Sequence, residues 1–321
     1  MIHVKLHTDA DGMHDAGSFN DVAWHSASAQ DLLWIDVVDP QPHEMERVGQ
    51  EFGLHPLSIE DAVRRHQRPK IELHDGYVFI VFYAMELVDN RPQTQELSLF
   101  AGKGWVITVH EGELPAIAET ARRWEEHAFG KSAPGPGLLV YALLDSIVDG
   151  YFPVLDAVSE RAENLEDQIF APGSGGVQAD IFALKKDLLA MRRVVGPERD
   201  VMNVLVRRDA PLFSKKEITY FQDVYDHLLR ITDAIDLYRD LLSSALDASV
   251  SMTSFKLNDT VRRLTSGSII LMSMALVSGI YGMNFAHMPE LDWRFGYPLA
   301  LALMAAIGGG IAWFFHRIDW L

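Results

Sequence analysis

Residues 264–284 read LTSGSIILMSMALVSGIYGMN, and the stretch from Leu212 to Ser266 that leads into them contains neither glycine nor proline. Leu264–Tyr281 is a run of 18 residues without a charge, and a helix needs roughly 17–25 predominantly apolar residues to cross a bilayer. Upstream, Phe221, Val224, Leu228, Ile231, Ile235, Tyr238, Leu242 and Ala245 recur at spacings of three and four. That is a helical seam, which leaves Asp223, Asp226, Asp233, Asp236 and Arg239 for other faces. Unbroken to Asn284, the helix would hold about 70 residues and extend roughly 100 Å. It is expected to be a stalk (212–263) continuing into a first membrane span (264–284).

A second uncharged run, Tyr297–Phe315, has 19 residues. It predicts a second span over 296–316, after an external loop 285–295 that contains Glu290, and before a tail 317–321. The second span holds Ala, Leu and Gly308-Gly-Gly310, which suit lipid and close helix packing. The first carries Thr265, Ser266, Ser268, Ser273 and Ser278. Polar groups in a membrane helix face other protein or a water-filled path, so the first span is the pore-lining candidate. For any single serine the alternative is an interhelical hydrogen bond; for the two runs together it is a buried core hairpin. Arg262 and Arg263 before the first span, with His316 and Arg317 after the second, put both termini on the cytoplasmic side.

Ahead of the stalk, β-rich stretches at Met1–His7, Leu32–Val38, Tyr77–Leu87, Glu96–Phe100 and Trp105–His110 alternate with helical spacing at Gln41–Phe52, Pro56–Arg65 and Pro115–His127. This predicts one layered α/β domain over 1–131. Asp9-Ala-Asp11-Gly12 lacks the spacing and closing Glu of a calcium loop and reads as a turn. After the breaker Ser132–Gly137, one helix from Leu138 to Ile169 and a second from about Gln178 to Val206, interrupted or kinked at Gly196-Pro197, predict an antiparallel hairpin over 138–209.

Net charge is −17, from 45 acidic and 28 basic side chains, which argues against a nucleic-acid partner. Such a field would concentrate cations, although it also serves plain solubility. With no cysteine there is no disulfide, thiolate nucleophile or cysteine zinc site. The first ten residues lack an apolar core, so no signal peptide is expected. Nor is there a nucleophile–base pair, phosphate loop or His-Glu-x-x-His motif to support an enzyme.

Tyr281-Gly282-Met283-Asn284-Phe285, followed by Met288-Pro289-Glu290-Leu291, resembles the CorA family of magnesium and cobalt transporters, whose signature is Gly-Met-Asn at the outer end of the first membrane helix. Gly53–Leu57, Glu60-Asp61, His66–Lys70, Tyr141–Asp149 and Phe221–His227 also look like the family's cytoplasmic domain and stalk. The resemblance covers about Leu32 to Leu321 and implies a funnel-shaped homopentamer in the inner membrane. Five first helices would surround a pore that carries Mg²⁺, with Co²⁺ as a second cargo. Gly282, Met283 and Asn284 would form the selectivity filter. Mg²⁺ gives up its water reluctantly, and a ring of Asn284 carboxamides can accept hydrogen bonds from an intact hydration shell. A helix C-cap is the plainer reading of Asn284.

Stepping inward along one face gives Gly279, Ala275, Met272, Ser268, Leu264, Val261 and Asn258. By the resemblance, Met272 and Leu264 would be apolar rings able to close the pore by dewetting; ordinary packing is the alternative. The family pattern also implies regulatory Mg²⁺ between Asp61 of one subunit and Asp223 of a neighbour's stalk, with Glu60 and Asp145 nearby. Loss of that ion would leave like charges repelling and favour the open state. A solvated acidic face is the alternative. The chain departs from the family at Ser273 (usually proline), Ala275 (commonly polar) and Ala286 (often acidic), and its basic tail is reduced to His316 and Arg317. A zinc transporter of the same superfamily is the competing assignment.

Overall fold

The computed structural model describes residues 1–8, 12–17, 31–125, 135–170, 176–207, 212–284, 288–289 and 293–320. The chain divides into two compact units, Met1–Ser244 and Ala245–Leu321.

In the first unit, β1 (Ile2–Thr8), β2 (Gly12–Gly17), β3 (Leu32–Val38), β4 (Lys70–His74), β5 (Tyr77–Val88), β6 (Arg91–Gly102) and β7 (Trp105–His110) form one sheet in the order β2-β1-β3-β7-β6-β5-β4. Only β3 and β7 run parallel; every other neighbouring pair is antiparallel. β3, Leu-Leu-Trp-Ile-Asp-Val-Val, is buried on both faces, with Asp36 the one charged side chain, held by Thr108 and His110. Leu33, Ile35 and Val37 pack with Met45 and Val48 of α1 (Pro42–Phe52) and Ala62 of α2 (Pro56–Arg64). Both helices start where the sequence dictates. Gln41 and Glu44 form a capping box ahead of Pro42, and His55 Nδ1 accepts the Leu57 N–H at 3.2 Å ahead of Pro56.

β2 and β4 were not expected from the sequence. Gly-Met-His-Asp-Ala-Gly carries little strand signal, whereas Lys-Ile-Glu-Leu-His alternates polar and apolar residues over only five positions; each is an edge strand paired with β1 or β5. β6 also runs longer than predicted, because it pairs with all of β5. The Asp9–Asp11 turn lies outside the described residues, as does His127 at the end of the third helix, described as α3 (Pro115–Glu125).

The predicted single helix from Leu138 to Ile169 is two, α4 (Pro136–Asp149) and α5 (Tyr151–Phe170). Pro153 has no N–H to bond the Asp149 carbonyl, so it suits the first turn of a new helix. At Gly150 a Cβ would come within 3.2 Å of the Ile147 carbonyl oxygen and 3.7 Å of the Met85 one. α6 (Val177–Val206) keeps Pro197 inside an otherwise continuous helix. Tyr151 meets Glu198 and Arg161 meets Asp187, so α5 and α6 run antiparallel as expected.

Glu198, fully buried, finishes the sheet. β4 pairs with β5 only as far as Val81, which leaves the next turn of β5 without a strand on that side. The Tyr83 N–H donates to Glu198 Oε1 at 2.9 Å, and the Tyr151 hydroxyl reaches both the Tyr83 carbonyl and Glu198. Side chains from two helices thus satisfy an open strand edge. Burial pushes the Glu198 carboxyl up to about 8, against the pull of those two donors. In the protonated form a closed ring of bonds is available, from Tyr83 N–H to Glu198, Glu198 O–H to Tyr151, and Tyr151 O–H to the Tyr83 carbonyl.

α7 runs from Lys215 to Tyr281, 67 residues in one helix. Within the first unit it lies on the hairpin through Tyr238–Ser159 at 2.7 Å, Lys185–Ser243 at 2.7 Å and the Arg192–Asp236 ion pair. Eleven of its described Ser and Thr hydroxyls, from Thr219 to Ser273, donate to the carbonyl four residues back. The second unit holds the rest of α7 and α8 (Gly296–Arg317).

Candidate functional site

α8 defines one side of the membrane part of α7. Ser266 and Val277 are buried, and a Cβ on Gly308 of α8 would sit 3.3 Å from Met274 Sδ and 3.8 Å from Ile270 Cγ2. Positions 266, 270, 274 and 277 therefore make the α8-facing stripe. At about 100° per residue, Asn258, Val261, Leu264, Ser268, Met272, Ala275 and Gly279 centre on the opposite side. All seven are exposed on the single chain, Leu264 at 71% and Met272 at 70%. Ser268 donates to the Leu264 carbonyl at 2.8 Å, so its oxygen lone pairs remain free to accept from water.

α7 closes with Gly282 N–H on the Ser278 carbonyl at 3.0 Å and Met283 N–H on Ile280 at 3.2 Å. A Cβ on Gly282 would press to 3.3 Å from the Ser278 oxygen, so glycine keeps this last turn tight. Asn284 follows, exposed and not left-handed, and its carboxamide makes no hydrogen bond among the described residues. It does not serve as the C-cap the plainer reading gave it. Glu290, Phe285 and Ala286 lie outside the described residues.

The first unit holds the carboxylates. Asp145 and Asp149 on α4 and His227 on α7 bring ligand atoms within 4.8 Å of one another. Arg123 is 3.5 Å from Asp145. Burial raises the Asp145 carboxyl above the ordinary range, and Asp149 and then Asp223 add to this while Arg123 opposes it. Burial together with Asp145 and Asp223 pushes the Tyr141 hydroxyl up to about 12. His227 Nδ1 is buried and unpartnered. Two carboxylates and an imidazole with one counter-cation fit a divalent ion chemically, the nitrogen favouring a transition metal over Mg²⁺. Of the four predicted metal residues, Asp145 and Asp223 come together. Glu60 and Asp61 stand on α2, paired with Arg64 and with Lys70 (2.6 Å to Asp61). Asp149 and His227 were missed, yet each lies one turn beyond a predicted ligand, at 145/149 and 223/227, a spacing that puts both members on one helix face.

A family model described as CorA-like Mg²⁺ transporter protein matches residues 29–317. The chain belongs to the CorA family. The cobalt/magnesium transport protein CorA of Thermotoga maritima is 34% identical over 293 residues, covering 90% of this chain and 83% of that protein. The solved CorA magnesium transporter of Methanocaldococcus jannaschii superposes with a TM-score of 0.84 at 25% identity, covering 100% of this chain and 99% of that one. The zinc transport protein ZntB of Klebsiella pneumoniae is 24% identical over 276 residues, 84% of this chain and 82% of that protein. The CorA fold, an α/β domain, a long helix and two C-terminal apolar helices, is the fold described above. CorA proteins are transporters and not enzymes.

Proposed function

We propose that this CorA protein is a divalent-cation channel that carries Mg²⁺ and Co²⁺ as a homopentamer in the inner membrane, both termini cytoplasmic. The observation that supports it best is the end of α7. An exposed Gly282-Met283-Asn284 tops a stripe of seven exposed residues on the side of the helix turned from α8. In a five-fold ring those stripes would line one path, with Asn284 meeting the hydrated ion and Leu264 and Met272 closing the path when dry. Glu290 would lie at the outer mouth.

Regulation is assigned to Mg²⁺ held by Asp61 of one subunit and Asp223 of its neighbour, with Glu60 and Asp145 beside them; Asp149 would add a further carboxylate, and His227 would let the same group take Co²⁺. Bound ion would favour the closed ring, and its loss would leave carboxylates repelling.

Dye-reported Mg²⁺ influx into proteoliposomes tests the assignment. Asn284→Ala is expected to lower flux about 100-fold, as loss of a preorganised polar ring should, while the oligomer still forms. An assembled Asn284→Ala variant that conducts like the parent defeats the proposal. Influx supported by Zn²⁺ and not by Mg²⁺ would move the assignment to zinc.

A further inference from the structure

After α8 the described backbone folds back on that helix. α8 runs to Arg317, and Asp319 then adopts φ 55°, the left-handed conformation. Its N–H bonds the His316 carbonyl at 3.3 Å, and the Trp320 N–H bonds the Phe315 carbonyl at 2.9 Å. These are the two bonds of a Schellman ending, with the apolar contact that accompanies it. The Trp320 ring stacks on buried Phe315 at 5.6 Å between centroids and 10° between planes.

That return brings Trp320 onto α7. The fully buried Ser266 hydroxyl lies 2.6 Å from the Arg262 carbonyl oxygen and 3.2 Å from that of Trp320, and it shares its hydrogen between them. The Arg262 guanidinium stands 5.9 Å from the centre of the Trp320 ring. Arg262 and Ser266 are one turn apart on the α8-facing side of α7. Leu264 and Ser268, at the same level, face the other way. The backs of the candidate gate residues are therefore held by the last turn of the chain.

We infer that Trp320 is a positioning residue for the gate, clasping the end of α8 to α7 at the turn that carries Leu264. With the clasp closed, α7 cannot turn Leu264 about its axis without moving α8 too. With it open, the two helices are uncoupled at that level. The inference rests on the proposed channel reading. It is separate from the ion path, since the partners that hold Trp320, Ser266, Arg262 and Phe315, belong neither to the filter nor to the exposed stripe.

The test uses full-length protein in proteoliposomes with internal Mg²⁺ varied, comparing the parent with Trp320→Ala, Trp320→Phe and Ser266→Ala. Loss of the ring's cation–π contact with Arg262 and of its stacking on Phe315 is expected to raise the internal Mg²⁺ that half-closes the channel about threefold to tenfold in Trp320→Ala. Maximal flux and assembly should stay at parental values. Trp320→Phe, which keeps a ring over Phe315, should recover most of the shift, and Ser266→Ala should move the same way by less. An assembled Trp320→Ala protein with parental half-closure overturns the inference. If Trp320→Ala does not assemble, Ser266→Ala decides in the same manner.

Because the chain has no cysteine, a Leu264→Cys spin label reports the step without any flux. The spread of label distances in the assembled protein should widen in Trp320→Ala and not in Trp320→Phe. A parent that passes no divalent cation defeats the channel reading alone, and unchanged label distances defeat the clasp alone.

Discussion

The interior helices α4 and α5 and the C-terminal helices are built from nearly the same apolar material and treat it in opposite ways. Pro136–Ile169 is long and apolar enough to cross a membrane by composition, as are α7 and α8. Of its most apolar stretch 61% is buried inside the first unit, against 11% for that of α7 and 17% for that of α8. Leu139, Val140, Leu143 and Leu144 are fully buried on α4, which packs against β5, β6 and β7 and against α3 and α5. Leu264, Leu271, Met272 and Leu276 stay about two-thirds exposed among the described residues. Composition gives a helix its need for an apolar neighbour; the fold decides whether protein, lipid or another copy supplies it. Pro153 and Gly150 add a second difference, since the break they make shortens the interior helix to fit a sheet.

The sharpest way to break this comparison is to cut the same side chain in both places. Leu143→Ala, fully buried, should cost about 2–5 kcal/mol. Leu301→Ala, 47% exposed on α8, should cost under about 1.5 kcal/mol in detergent. Denaturant unfolding of the full chain checks both, and equal losses would erase the distinction.

The next effect belongs to the interior alone. Glu198 has a folded-state pKa of about 8, above its ordinary 4.5. Folding therefore favours the protonated form. Its contribution is complete below about pH 4.5 and is lost as pH rises toward 8, on the order of a few kcal/mol. Unfolding followed across that window should show stability falling with pH in the parent. Glu198→Gln should flatten that component, because an amide keeps an acceptor for Tyr83 and a donor for Tyr151. A slope that persists unchanged in the variant would assign it elsewhere.

The smallest effect lies at the end of α8. Asp319 occupies a left-handed position that glycine takes without strain. Asp319→Gly should tighten the Schellman ending by about 0.5–1 kcal/mol, read as a higher melting temperature in detergent with unaltered flux. A fall in melting temperature would mean that the Asp319 side chain contributes more than its backbone strain costs.

What could be read from the sequence follows from which interactions are local. α7, both apolar runs, β3 and β7 each announce themselves by a single period or an unbroken apolar run. The stripe from Asn258 to Gly279 needed only the helical repeat, and the structure leaves all of it exposed. β2 was invisible because its specification sits in its partner β1, while the short alternation of β4, Lys-Ile-Glu-Leu-His, was there to be read. The break at Gly150 was hidden by an apolar pattern that continues straight through it. Asp145 and Asp223 were picked out by resemblance, whereas Asp149 and His227 required α4 and α7 to be laid side by side. No local rule states that encounter, although the one-turn spacing on each helix was there to be used.

The hydroxyls along α7 carry a mechanical consequence. Each one that leans on a carbonyl a turn behind gives that oxygen two hydrogens to hold, which weakens its grip on the helical N–H and lets the rod flex there without snapping. The same habit hides the hydroxyl proton, so serine and threonine can accompany the helix from aqueous surroundings into oil without a stranded donor. From Ser243 to Ser273 the helix carries nine such joints. A strut made this way transmits force like a fishing rod, bowing along its length instead of hinging at one point.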